Sequence, residues 1–305
     1  MLPPFWLLIL AAWLAAQPAG TANGRSCRLE PGERQAVVRV IDGETLALDD
    51  GSEVRLIGAL SPRSPDSGAN ATVWPPEREA TAELERLVLG RSVDLAFAGR
   101  RRDRYGRILA HVFADTGAGR VWVQGHMLAA GRARAYALPE SAACYEELLA
   151  YERQARTTNA GLWSHAAYRI RSALHTRELL RLRSTYQIVE GRIAHIADIR
   201  GHVYLNFGSN WREDFTAGVK SAVRRTVFAG GRDPKTLEGR QVRIRGWIDR
   251  RNGPAIDVVH PGQIEVLSGE EGPNAADPPA PAPKSAQPPA DPPPARRTKP
   301  AAIDL

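Results

Sequence analysis

Between residues 36 and 58 apolar and polar positions alternate in three short runs, AVVRVI, TLALDD and EVRLIG, separated by the pairs Asp42-Gly43 and Asp50-Gly51. A period of two turns one side of each run toward a core, and Asp-Gly suits a tight turn, so the runs predict an antiparallel meander. The period then changes. In PPEREATAELERLVLG the prolines Pro75 and Pro76 open the segment, Ala80, Leu84, Leu87 and Val88 fall on one side, and Gly90 stops it, which predicts a helix. RSVDLAFAG and GRILAHVFAD resume the alternation. Three strands, a helix and two strands are the order of a Greek-key barrel of the OB type. Two further helices follow, one near residues 121–130 and one near 141–156, where Cys144, Leu148, Tyr151 and Ala155 share a side.

Residues 165–183, rich in Arg and Leu, read as a helical connector. Beyond them the first pattern returns. YQIVEGRIAHIADI, HVYLNFG and REDFTAGV predict strands, SAVRRTVFAG a helix, and RQVRIRGWIDR and PAIDVVHPGQIEVL two closing strands, again in OB order. In such barrels the loops after the first and fourth strands, with the face of the second and third, commonly hold nucleic acid. Here they carry Arg200, His202, Arg250, Arg251 and Asn252, with Tyr204 and Trp211 as rings on which bases stack. The alternative places those aromatics in the core and the charges in solvent.

The two ends read differently. FWLLILAAWLAA is an apolar run followed by small residues near Ala19 and Ala22, the form of an export signal over residues 1–24; an uncleaved anchor is the alternative and would be the only route to a membrane. Residues 268–305 are rich in proline and poor in aromatic and β-branched residues, which predicts a disordered tail. The expected organisation is thus a signal over 1–24, a first barrel over 25–164, a connector over 165–184, a second barrel over 185–267 and the tail, in a mainly β, α+β chain.

Export places the protein in the periplasm or outside the cell, where the chain's two cysteines, Cys27 and Cys144, are able to pair; two buried thiols are the alternative. The net charge of +7 favours phosphate polymers or an anionic envelope surface as partners. Of the 41 basic residues only four are Lys, and arginine forks suit phosphate. No CxxC pair, HExxH or P-loop occurs, which argues against a zinc or nucleotide enzyme. Oligomeric state has no signature.

Three groups carry candidate chemistry: Asp42, Glu44 and Thr45 in IDGET; Arg55, Ser61 and Arg63 in the stretch ending SPR; and Arg100 to Arg107 in RRRDRYGR. A meander barrel brings the ends of these strands together. Along VVRVIDGETLAL, DGSEVRLIG, the helix at PPEREA, DRYGRILAHVF, WVQGHMLAAGRARAY and ERQARTTNAGLWS, residues 36–164 resemble the staphylococcal nuclease, or thermonuclease-like, family. The resemblance implies that Asp42 and Glu44 stand at calcium-binding acids and that Arg55 and Arg107 grip the scissile phosphate. It also implies that Arg104 and Tyr105 contact a neighbouring phosphate. It breaks at two places: Leu60 stands where the family has a further metal-binding acid, and Arg63 stands where it has the glutamate that activates water.

Leucine offers a hard cation no oxygen, and an arginine is not deprotonated at neutral pH. The pattern therefore predicts an exported protein that binds nucleic acid, DNA or RNA, or another phosphate polyanion, with a degenerate calcium-dependent phosphodiesterase site and no cofactor. One alternative is an active nuclease, with Ca2+ and with Asp66, Glu53 or His111 as the base. Another is a non-catalytic envelope interaction protein.

Overall fold

The computed structural model describes residues 27–64, 74–117, 119–137 and 143–267. The expected signal, the Pro-rich tail and Asp66 lie outside them. The described residues divide into two compact units, 27–62 with 75–162, and 63–64 and 74 with 163–267.

The first unit contains β1 (Glu30–Asp42), β2 (Thr45–Leu48), β3 (Glu53–Leu56), β4 (Ala59–Leu60), α1 (Pro75–Val88), β5 (Ser92–Phe97), β6 (Ile108–Thr116), β7 (Gly119–Trp122), α2 (Val123–Ala129), β8 (Arg134–Ala135) and α3 (Tyr145–Thr157). The sheet order is β3-β2-β1-β5-β6-β7, and β3 also pairs in parallel with β6, so five strands close into a barrel of OB topology. Val37, Leu46, Leu48, Val54, Leu56, Val93, Ala110 and Val112 fill it, and α1 adds Ala80, Leu84, Leu87 and Val88 from the side that its periodicity marks. β1 begins six residues before the alternation does, because its first half is exposed and polar and carries no period. On α3 the buried residues are Tyr145, Leu148, Leu149, Glu152 and Ala155; Tyr151, expected on that side, is 39% exposed and meets Trp122 edge-on. Cys27 and Cys144 are disulfide-bonded, with Cα atoms 4.8 Å apart.

The second unit contains β9 (Arg171–Ser172), α4 (Thr176–Arg181), β10 (Tyr186–Arg192), β11 (His195–Ile199), β12 (His202–Asn206), β13 (Thr216–Val219), α5 (Arg224–Val227), β14 (Gln241–Arg251), β15 (Gly253–Asp257) and β16 (Ile264–Val266). Its order is β11-β12-β13-β15-β14-β10, with β13 and β15 parallel. The first strand expected here is broken after Arg192 into β10 and β11; rejoined, it closes the same OB order as the first barrel. Val203, Leu205, Ala217, Val219, Ile244, Ile248 and Ile256 form the core.

Three local expectations change. Within the segment read as a helical connector, α4 spans only six residues and β9 pairs in parallel with β10, so part of that segment belongs to the second sheet. SAVRRTVFAG folds as α5, four residues long, between short 3-10 turns. The strand expected over PAIDVVHPGQIEVL is β15 and β16, separated by a 3-10 turn that Pro261 opens.

Candidate nucleic-acid site

The tight turn between β1 and β2 carries the first two candidates. Asp42 Oδ1 accepts the N–H of Glu44 at 2.8 Å, a local turn bond typical of aspartate. Gly43 lies so close to Ser61 that a Cβ would come within 2.3 Å of its Oγ and 2.8 Å of Ala80 Cβ, so only glycine fits. Glu44, the next residue, faces inward. Its side chain is wholly buried, Oε2 accepts the Ser61 N–H at 2.8 Å, and Oε1 lies 3.4 Å from Arg55 Nη2. A buried carboxylate is tolerated where hydrogen bonds and a counter-charge replace water, and both are here.

Leu60, which the resemblance sets at the position of a further acid, is 4% exposed and pairs on β4 with Arg134 of β8. Arg63 is exposed and belongs to the second unit. Among the described residues no group of three or more His, Cys, Asp or Glu converges in a way that would hold a metal ion.

The arginines are placed by strand register. Arg55 pairs with Leu109 across the parallel β3 and β6, and Arg107, two positions before Leu109, shares Arg55's side of the sheet. Asp103 holds Arg107 from the same hairpin: its Oδ2 accepts Arg107 Nε at 2.8 Å, and its Oδ1 accepts the N–H groups of Tyr105 and Arg107 at 2.9 and 3.0 Å. Burial raises the Asp103 pKa, but these bonds outweigh it and hold the carboxyl below its ordinary value. Tyr105 is 68% exposed, its hydroxyl receives Arg104 Nη2 at 2.5 Å, and the Arg104 guanidinium lies 4.7 Å from its ring centre. Arg55 and Arg107 each keep 21% of the side chain in solvent, so each is anchored by a carboxylate and open to a ligand.

The three residues weighed as substitute bases differ in access. His111 is fully buried, and burial pushes its pKa down to about 4. Among the described residues neither ring nitrogen has a hydrogen-bond partner. Glu53 lies on β3 two residues before Arg55, on the same side and half-buried. Asp66 lies outside the described residues.

On the second barrel, His202 and Tyr204 point outward from β12, Arg200 sits in the turn between β11 and β12, and Arg250, Arg251 and Asn252 form the tip joining β14 to β15. Trp211 stands on the loop between β12 and β13, 49% exposed, with Arg212 stacked 4.4 Å from its ring centre. That loop meets the β14–β15 tip, since a Cβ on Gly253 would reach within 2.4 Å of the Asp214 carbonyl. Ser61, named from the sequence among the candidates, acts through its backbone N–H. Sequence reasoning missed three participants. Asp103 was signalled by its i, i+4 spacing from Arg107. Asp257 lies at an outward position of β15 and Lys220 immediately after β13, a placement legible only once register is known.

A family model described as staphylococcal nuclease homologue matches residues 53–165. It begins past Asp42 and Glu44. An uncharacterized endonuclease of Escherichia coli is 32% identical over 130 residues, covering 43% of this chain and 76% of that one. A thermonuclease of Staphylococcus hyicus is 30% identical over 132 residues, covering 42% of this chain and 75% of its own. With this barrel order, these arginines and relatives matched over three quarters of their length, the chain belongs to the staphylococcal nuclease homologue family.

Proposed function

We propose that this is an exported thermonuclease-like protein that binds nucleic acid or another phosphate polymer through Arg55, Arg107, Arg104 and Tyr105, with a degenerate site for calcium-dependent hydrolysis. The observation that carries the reading is the use made of Glu44: its buried carboxylate is bonded to the Ser61 amide and paired with Arg55. A calcium ion asks for about six to eight oxygen ligands. This turn offers Asp42 and an already engaged Glu44, while Leu60 contributes none. The residues present do not fit the ion.

Guanidinium forks held by carboxylates suit a phosphodiester. Each keeps N–H groups for bidentate contact with phosphate oxygens, and the anchoring acid fixes the fork before the ligand arrives. Hydrolysis additionally needs a group that takes a proton from water. Arg63 is unable to do so, and the loss of a general base alone costs about 100-fold to 10,000-fold in rate. Cys27 bonded to Cys144 supports an oxidising compartment, hence the periplasm or the exterior.

A second reading, an active nuclease with altered acids, is favoured by the names of the relatives, an endonuclease and a thermonuclease. Digestion of single-stranded DNA and RNA by the purified chain, with calcium, magnesium, manganese or chelator, decides between them. The binding reading expects no metal-dependent cleavage, and DNA retention whose salt slope falls by about one for each of Arg55→Ala and Arg107→Ala. Robust cleavage abolished by Glu44→Ala establishes the nuclease instead. Unaltered retention in both arginine variants overturns binding through the first barrel, and absence of retention in the starting protein leaves the envelope role.

A further inference from the structure

We infer that the outward face of the second barrel is a separate binding site for single-stranded nucleic acid, with bases stacked on Tyr204 and His202 and phosphates held by Lys220 and Arg251. It does not depend on what the first barrel binds. The register aligns Ala197, Tyr204, Gly218 and Asp257 in one row across β11, β12, β13 and β15. Val203, Leu205, Ala217, Val219 and Ile256 take the alternate positions and are buried, so the row faces out.

Tyr204 is flanked in this row by the two smallest side chains available. A Cβ added to Gly218 would meet only Asp257 Oδ1, at 3.8 Å, so the space beside the Tyr204 ring is open. One row over, His202 continues the aromatic surface: its ring is 6.5 Å from that of Tyr204, with 17° between the planes. Two nearly parallel rings beside a glycine floor present faces on which a base of any identity can stack.

The charges sit at the rim of that platform. Asp257 Oδ2 is 3.1 Å from Lys220 Nζ and 2.5 Å from Arg251 Nη2, while Asp249 lies 3.9 Å from Arg251 Nε and 4.0 Å from Arg183 Nε, so three cations share two carboxylates and the group keeps a net positive charge. Arg224 pairs with Asp198 at 2.6 Å. Arg200, in a left-handed conformation (φ 52°), precedes Gly201, whose Cβ position is 3.3 Å from Ser221 Cβ; this brings the β11–β12 turn beside the residue following Lys220. Flat rings bordered by arginine and lysine match a strand with exposed base faces and a charged backbone. A duplex buries those faces, and a neutral polymer does not use the cations.

The test uses the full chain and a fluorescein-labelled single-stranded oligonucleotide of about 12 nucleotides, a length suited to one OB barrel, with chelator present and anisotropy as the readout. In an Arg55→Ala, Arg107→Ala background binding persists. Adding Tyr204→Ala weakens it about 10-fold or more, Tyr204→Phe does not, and Lys220→Ala with Arg251→Ala lowers the salt slope by about two. A duplex of the same sequence competes poorly. The inference is overturned if the arginine background has no residual binding, if Tyr204→Ala matches Tyr204→Phe, or if duplex competes as well as single strand. Failure of the first-barrel reading is a different result: affinity unchanged between the starting protein and the arginine background.

Discussion

The N–H of Ser61 donates to the carboxylate of Glu44 at 2.8 Å, seventeen residues away in sequence and out of reach of solvent. This bond ties the turn before β2 to the end of β4, and through Glu44 it sets Arg55. Glu44→Ala therefore leaves a buried amide and a guanidinium without that acceptor. The expected loss is about 2–4 kcal/mol in urea unfolding, with no dependence on added calcium. A fall in stability that appears only in calcium would instead make Glu44 a metal ligand.

In the proposed reading Leu60 and Arg63 stand where the resemblance implies acids, and reversing them tests that reading. Leu60 is buried, so Leu60→Asp with Arg63→Glu should lower the melting temperature without metal. Calcium should then raise the melting temperature of the double variant and leave that of the starting protein unmoved. Equal shifts in the two proteins would mean that the unaltered turn already binds calcium.

Asp103 caps the hairpin that carries Arg104, Tyr105 and Arg107 through three bonds from one side chain. Asp103→Ala should strip hydrogen-exchange protection from the amides of Tyr105 and Arg107 while those of the barrel core keep theirs. Uniform loss across β5 and β6 would mean that Asp103 supports the whole sheet.

His111 sets an acid limit. Its folded-state pKa, about 4, lies below the ordinary value of 6.5 because burial disfavours the imidazolium. The unfolded chain therefore binds the proton first: the contribution is complete above pH 6.5 and declines as pH falls toward 4, by about 3 kcal/mol in all. His111→Leu should flatten the dependence of urea-unfolding free energy over that window. An unchanged slope assigns the acid sensitivity elsewhere.

Much of this architecture is legible in the chain because local signals agree with it. Asp42-Gly43 and Asp50-Gly51 set the meander, and the spacing of Ala80, Leu84 and Leu87 sets α1. What escapes reading depends on partners distant in sequence. The exposed half of β1 has no period, β9 is a strand only because β10 lies beside it, and Tyr151 leaves the buried side of α3 to meet Trp122. The candidate site divides the same way. Motif spacing marks Arg55, Arg104, Tyr105 and Arg107, whereas the burial of Glu44 and His111 follows from tertiary packing.

Joining Cys27 to Cys144 closes a loop across 117 positions and, by the chain-entropy relation, restrains the unfolded chain by about 4–5 kcal/mol. Replacing both by serine should lower the unfolding midpoint accordingly, as should mild reductant. Because the sequence holds only these two thiols, oxidation within one molecule has a single product and no isomer to reshuffle. Closure within the molecule therefore needs no isomerase to sort alternative pairings, and dilution favours it over bonds between chains.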